Sequence, residues 1–351
     1  MQLTDLLGTR HALIQAPMAG VQDSALAIAV SNAGALGSLP CAMLSPAQVR
    51  SELAALRAGT DKPYNVNFFC HTPPQASAEK EALWREALLP YYRECDIDPA
   101  AITAGSQRQP FSGELADLLE EFRPPVVSFH FGLPSPQLLE RVKAWGAKVL
   151  SSATTLEEAV WLEAHGADAI IAQGLEAGGH RGIFLSDDLS TQVGTMALLP
   201  QLVARVRVPV IAAGGIADAA GVKAAMALGA AGVQVGTSYL LAHEARTSAV
   251  HRAALKSDEA VHTALTNLFT GRPARGIVNR VMRELGPISA YAPAFPLAGG
   301  AMAPLRAHAE ARNSGAFSPL WAGQNTRGCV EKSAAEITAE LVRSLPSGQH
   351  P

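Results

Sequence analysis

The sequence predicts an α/β protein built as a (β/α)8 barrel, with a smaller, mainly helical second domain. Two observations carry this expectation. Short continuous apolar runs, such as Val126-Val127-Ser128-Phe129-His130-Phe131, alternate with Ala-rich amphipathic stretches. That is the pattern of parallel strands buried on both faces and linked by helices. Eight such units also follow one another between Ala12 and Thr237, and a barrel of this kind takes about 250 residues.

The first expected strand is Ala12 to Pro17, opening into Met18-Ala19-Gly20. Asp23-Ser24 then offers a helix N-cap, and the helix stops near Gly34. Leu36 to Pro40 is the second strand, Pro46 to Arg57 a helix, and Tyr64 to Phe69 the third strand. A long excursion from His71 to Pro125 carries helical stretches at Ser77 to Arg93 and Ser112 to Phe122. Val126 to Phe131 and Lys148 to Ala153 are strands four and five, separated by a helix from Ser135 to Trp145. Thr155-Leu156-Glu157-Glu158 reads as a capping box, and its helix leads to strand six, Asp168 to Ala172. Strand seven is Val208 to Gly215 and strand eight Ala231 to Thr237, with helices at Gly194 to Val206 and Ile216 to Leu228. We expect residues 1–240 to form the barrel, completed by 318–351, whose Ser333 to Ser344 stretch suits a closing helix. Residues 241–317, helical from Ala245 to Ala264 and then Pro- and Gly-rich, are expected to form the lid-like second domain.

Composition narrows the function classes. The chain has 351 residues, 48% hydrophobic and 17% charged, with a net charge of −3. Nothing in that balance suggests a nucleic acid as partner. No run of 18 apolar residues argues for a membrane span, and Met1 to Arg10 lacks the apolar centre of a signal peptide. Four scattered cysteines without a CxxC pair fit a reducing cytoplasm better than a zinc site or disulfide frame.

Barrel active sites lie at the C-terminal ends of the strands. The richest strand end is Gln173-Gly174-Leu175-Glu176-Ala177-Gly178-Gly179-His180-Arg181-Gly182, where glycines let backbone approach a ligand and one titratable ring stands among them. Gly214-Gly215 and Gly236-Thr237 end strands seven and eight, where barrels commonly hold a phosphate; the alternative is that these glycines serve only tight turns. Carboxylates at the strand ends are scarce, so a metal centre is not expected, although His71, His130 and His180 are the imidazoles that could meet there. Amides at Gln15, Asn67 and Gln173, with Ala16, Pro17 and Met18 as an apolar wall, suit a flat heteroaromatic ring such as a flavin mononucleotide.

These blocks resemble the nitronate monooxygenases, formerly called 2-nitropropane dioxygenases. The likeness rests on Ala16-Pro17-Met18-Ala19-Gly20, Asn65-Val66-Asn67, the Gln173 to Gly182 block, Ala212-Ala213-Gly214-Gly215-Ile216-Ala217 and Gln234-Val235-Gly236-Thr237, and it spans the whole TIM barrel. The resemblance implies an FMN-dependent enzyme that oxidises alkyl nitronates, propionate 3-nitronate among them, with O2 to a carbonyl compound and nitrite through a flavin semiquinone. It also implies FMN contacts at Met18, Asn67, Gln173, Gly178, Gly214, Gly215, Gln234, Val235, Gly236 and Thr237, and a catalytic role for His180. His130 is the further expected substrate contact. Arg272 and Arg275 are expected to brace the second domain, Trp321 or Gly323 to return to the site, and Tyr291 to approach the barrel mouth. The alternative on the same barrel is an FMN-dependent NAD(P)H reductase of the enoyl or quinone type. An inosine-monophosphate dehydrogenase relative is disfavoured, because no cysteine stands between Cys95 and Cys329. We expect a cytoplasmic monomer or loose homodimer.

Overall fold

The computed structural model describes residues 2–102 and 108–345 of the chain, so residues 103–107 of the excursion and 346–351 of the tail lie outside it. Eleven strands are present among the described residues: β1 (Leu13–Gln15), β2 (Gly37–Pro40), β3 (Tyr64–Phe69), β4 (Val126–His130), β5 (Lys148–Ala153), β6 (Ala169–Gln173), β7 (Gly179–His180), β8 (Val210–Ala213), β9 (Gly232–Val235), β10 (Thr263–Thr266) and β11 (Ala274–Ile277). Eight of them form one parallel sheet in the order β1-β9-β8-β6-β5-β4-β3-β2. A parallel bridge from Ile14 to Leu36 joins its two ends, with Gln15 N–H donating to Leu36 O at 2.9 Å. The sheet is therefore the expected (β/α)8 barrel.

Side chains fill the barrel. Ile14, Leu36, Val126, Leu150, Ile171 and Ile211 pack inside it, and the short N-terminal helix Leu3–Leu7 plugs the bottom with Leu3 and Leu7. Leu13, Ile170 and Val233 face outward against the helices. The helices start where their caps dictate: Ser45 closes a capping box with Gln48, and the side chains of Thr155 and Asp218 accept from Glu158 N–H and Gly221 N–H. The tail helix Ala334–Val342 fills the gap in the helical ring with Ala334, Ile337 and Leu341.

The region 241–317, expected to be mainly helical, holds helices at Ala249–Leu255, Arg280–Glu284 and Gly299–Glu310 joined by turns and a ribbon of two strands. The expected helix from Ala245 to Ala264 is helical only at Ala249–Leu255, and a single 3-10 turn at Asp258–Val261 then gives way to β10. Ser257 interrupts the apolar periodicity there, and Thr263 and Thr266 are β-branched residues that find a partner in β11. The excursion helix Ala78–Glu94 joins this region: Trp84, Leu88 and Tyr92 pack with Leu268, Met302 and Leu305, Trp84 Nε1 donates to Ala298 O at 3.2 Å and Tyr92 Oη to Ala301 O at 2.6 Å.

Candidate functional site

A cavity opens over the C-terminal ends of the barrel strands and encloses about 1340 Å³ of empty space, its open mouth included. Every residue expected to touch a cofactor lines it: Met18, Asn67, Gln173, Gly178, Gly214, Gly215, Gln234, Val235, Gly236 and Thr237. His130 and His180 line it as well, as do Trp321 and Gly323. Two expectations fail. Gln15 is wholly buried below the cavity, where its Oε1 accepts from Ser38 N–H and its Nε2 donates to Gln22 Oε1 at 2.8 Å. Tyr291 is 54% exposed and stays at the surface.

The glycine-rich segment is a held structure. Arg181 is fully buried and clasps the turn that precedes it: Nη1 donates to Gly174 O and Nη2 to Gln173 O, both at 2.7 Å, and Nε donates to Gln192 Oε1. Arg275 Nε donates to Leu175 O at 2.9 Å, and Arg272 donates through Nη2 to Ile183 O. Both arginines thus brace the second domain against this loop. Glu176 caps the helix Thr195–Arg205, accepting from the backbone N–H and the hydroxyl of Thr195 at 2.8 Å each. This replaces the missing side-chain cap at Gly194. A β-carbon at Gly178 would lie 2.6 Å from Gly323 N, so only glycine allows the return segment this close. Gly214 and Gly215 have φ of 117° and 74°, the left-handed region that favours glycine.

His180 stands on β7, which pairs antiparallel with β11 in the register Ala274 to His180. The ring is therefore fixed from the second domain, with Nε2 3.0 Å from Thr270 Oγ1. Aromatic side chains surround it, with centroid distances of 5.3 Å to Phe295, 5.6 Å to Trp321 and 6.1 Å to Phe131. Burial, followed by the charges of Arg108, His130, Arg272 and His71, holds its pKa well below the ordinary value. The imidazole is neutral at physiological pH.

The tautomer of His130 follows from its partners. Its Nε2 lies 3.1 Å from the His180 carbonyl, which can only accept, so Nε2 carries the proton. Nδ1 is then the acceptor for the Ser152 hydroxyl at 3.1 Å. Burial pushes its pKa down to about 4. The Gln173 Nε2 donates to the same carbonyl at 2.9 Å, while Gln173 Oε1 accepts from Gly182 N–H. His130 and Gln173 therefore converge on the backbone of His180. His71 lies beyond Phe69 and Phe131, its Nε2 donating to Arg108 O at 3.1 Å. Among the described residues no group of three His, Cys, Asp or Glu side chains is set to hold a metal ion.

Two lining residues had no signal in the sequence reading. His251, on the helix Ala249–Leu255, is 4% exposed with Nε2 unpartnered, and burial pushes its pKa down to about 4. Arg108 reaches the cavity from the excursion. Neither lies at a strand end. Gln234, an expected contact, presents its Oε1 as a buried acceptor without a partner.

Comparison with known proteins agrees with this arrangement. A family model described as nitronate monooxygenase matches residues 1–344. The chain is 43% identical to a nitronate monooxygenase of Pseudomonas aeruginosa over 98% of this chain and 99% of that protein. It is similar to the crystal structure of a nitroalkane oxidase from Streptomyces ansochromogenes, with a TM-score of 0.88 at 37% identity over 98% of this chain and 97% of the other. It is less similar to FabK from Thermotoga maritima, with a TM-score of 0.70 at 27% identity over 97% and 94% of the two chains.

Proposed function

The chain belongs to the nitronate monooxygenase family, and we propose that it holds flavin mononucleotide in the cavity above the barrel and oxidises alkyl nitronates with O2 to a carbonyl compound and nitrite. Propionate 3-nitronate is the substrate that the family likeness suggests. The observation that carries this reading is the charge of the cavity. Among its described lining residues there is no Asp or Glu, while Arg108 is present and His130, His180 and His251 are neutral donors or acceptors. Such a site suits an anion better than a cationic substrate.

The residues present fit the flavin. Ala16, Pro17 and Met18 offer an apolar wall, and Gly178, Gly214 and Gly215 bring bare backbone to the cavity at positions where a β-carbon would meet Gly323 or Thr195 or sit at a strained φ. Gln234 Oε1 is a buried acceptor awaiting a donor. In this reading Met18, Asn67, Gln173, Gly178, Gly214, Gly215 and Gln234 to Thr237 hold the cofactor, the phosphate lying at the loops after β8 and β9. The Asp218 side chain already caps the helix that follows β8, so the loop amides and Thr237 serve the phosphate rather than that helix end. Bound there, the flavin would supply one-electron oxidation of the substrate and onward transfer to O2.

The chain's own part is to bind, orient and exclude water. A nitronate is already a carbanion equivalent, so no base is required, and neutral His180 serves as a hydrogen-bonding wall held by Thr270 and, through its carbonyl, by His130 and Gln173. We also propose a division of labour in which residues 1–240 and 318–351 carry the cofactor while 241–317, with the helix Ala78–Glu94, covers it. The four unpaired cysteines suit a cytoplasmic setting.

Anaerobic mixing of the FMN-loaded protein with a nitronate, and separately with NADPH, tests the reading. Rapid change of the flavin spectrum with the nitronate, with nitrite released once O2 is admitted and no bleaching by NADPH, is the expected result. Bleaching by NADPH with no response to nitronate would assign the reductase activity instead.

A further inference from the structure

We infer that Thr270 is a positioning residue for His180. Its hydroxyl accepts the Nε2 proton of the ring and leaves the Nδ1 lone pair to the cavity, as the base that takes the α-proton of a neutral nitroalkane. This rests on the functional reading above and deepens it.

Thr270 lies in the turn between β10 and β11 and is 5% exposed. Its Oγ1 is 3.0 Å from His180 Nε2 and 3.4 Å from both Arg272 N and Arg272 O. A hydroxyl has one proton to give and two lone pairs to offer. Arg272 N–H can only donate to it. Arg272 O can only accept, and among the described residues no other donor reaches that carbonyl. Giving the proton to Arg272 O, while accepting from Arg272 N–H and His180 Nε2–H, uses all three contacts. Giving it to His180 Nε2 uses two and forfeits the carbonyl, so the first arrangement is favoured. The ring then carries its proton on Nε2, and Nδ1 is a lone pair.

Nδ1 has no partner among the described residues, and the ring lines the cavity. The neighbouring His130 spends both nitrogens, on Ser152 and on the His180 carbonyl. That carbonyl also accepts from Gln173 Nε2. His180 is thus held at its backbone and at Nε2, while Nδ1 stays open. The turn that presents Thr270 is itself fixed. Asn267 exchanges hydrogen bonds with the carbonyl and N–H of Ser289, and a β-carbon at Gly271 would run into Pro293 O.

In the step assigned to this pair, the α C–H bond of the nitroalkane breaks. Its proton goes to Nδ1, and its electron pair stays on the substrate as the nitronate. The resulting imidazolium keeps its Nε2–H on Thr270 Oγ1, an acceptor whose own proton already points to Arg272 O. Hydrogen bonds strengthen when the donor is charged, so Thr270 favours the protonated ring formed in this step. A preformed nitronate skips the step and depends on Thr270 less.

The test uses the FMN-loaded enzyme as wild type, Thr270→Val and Thr270→Ser, with freshly dissolved nitroethane and its preformed nitronate. The ratio of kcat/KM for nitroethane to that for the nitronate should fall about tenfold in Thr270→Val and return in Thr270→Ser. Equal losses on both substrates would reduce Thr270 to a structural contact and overturn the proposal. A wild type that oxidises the nitronate but not nitroethane would overturn it as well. The imidazole nitrogen NMR spectrum of histidine-labelled protein supplies a readout without turnover, His180 being identified by the signals lost in His180→Ala. It should show the Nε2–H tautomer in wild type and Thr270→Ser, and a mixture of tautomers in Thr270→Val. An Nδ1–H tautomer in wild type would overturn the proposal. If wild type turns over neither substrate yet the spectra are as expected, the functional reading fails and the tautomer assignment stands.

Discussion

His180 is a neutral imidazole whose protonated form the surrounding Arg108, Arg272 and buried aromatic rings disfavour. A positive His180 would make catalysis rise as pH falls towards its pKa; a neutral one gives no such rise. With preformed nitronate, kcat/KM is therefore expected to stay flat from about pH 6.5 to pH 8.5, and a steady increase towards acid would show that His180 acts as a cation. His180→Ala should lower turnover of neutral nitroalkanes, which must lose a proton, by about a hundredfold, the lower end of what a positioned base contributes. Nitronates should lose less, and equal losses on both would remove the distinction. The residue was legible because a lone titratable ring in a glycine-rich strand end has few other uses. Arg108, Phe295 and His251 were not legible, since each arrives from a segment far along the chain and none sits at a strand end. Gln15 was misplaced for the opposite reason. It stands next to the right residues in sequence, but its side chain points down into the barrel, where Ser38 and Gln22 satisfy it.

The glycine-rich loop is shaped by an arginine that touches no acid. Arg181 offers its guanidinium to two carbonyls and one amide oxygen at full burial, and its pKa is brought down to about 10 by that burial and by Arg275. Removing it takes a donor from three buried acceptors at once, of which Gly174 O keeps the Ala177 N–H. Arg181→Met is expected to cost about 3 kcal/mol of stability, at the level of a broken buried network, and to weaken FMN uptake, because Gly178 and His180 lose their register. Urea unfolding with and without FMN measures both effects; a loss under about 0.5 kcal/mol would show that the clasp is replaceable. Barrel strands were readable as continuous apolar runs because both faces of each are buried. The strand β7 was not, since two residues, Gly179 and His180, carry no periodicity and become a strand only when β11 pairs with them. The stretch Ala245 to Ala264 misled for a related reason: its Ala-rich composition favours helix, while the partner strand Ala274–Ile277 draws Thr263–Thr266 into a ribbon.

The whole molecule carries a cost for burying histidines neutral in a cavity meant for anions. His130 and His251 have folded pKa values of about 4, against about 6.5 in an unfolded chain. Above pH 6.5 neither state binds a proton at these rings and they contribute nothing to pH dependence. Below it the unfolded chain takes up protons that the folded chain refuses, so stability falls as pH falls, and the loss is complete only near pH 4. Each ring adds about 1.4 kcal/mol per pH unit within that window, and His180, shifted in the same direction, adds to the slope. Between pH 6.5 and 5 most carboxylates have not begun to titrate, so the histidines dominate there. The urea midpoint is expected to drop steeply over this interval in the wild-type protein. His251→Gln removes one titrating ring while keeping a buried polar side chain, so its slope should be shallower by about one proton. Equal slopes in the two proteins would mean that His251 protonates freely in the folded state. That outcome would place water or an anion beside Nε2, where the structure shows a buried nitrogen without a partner.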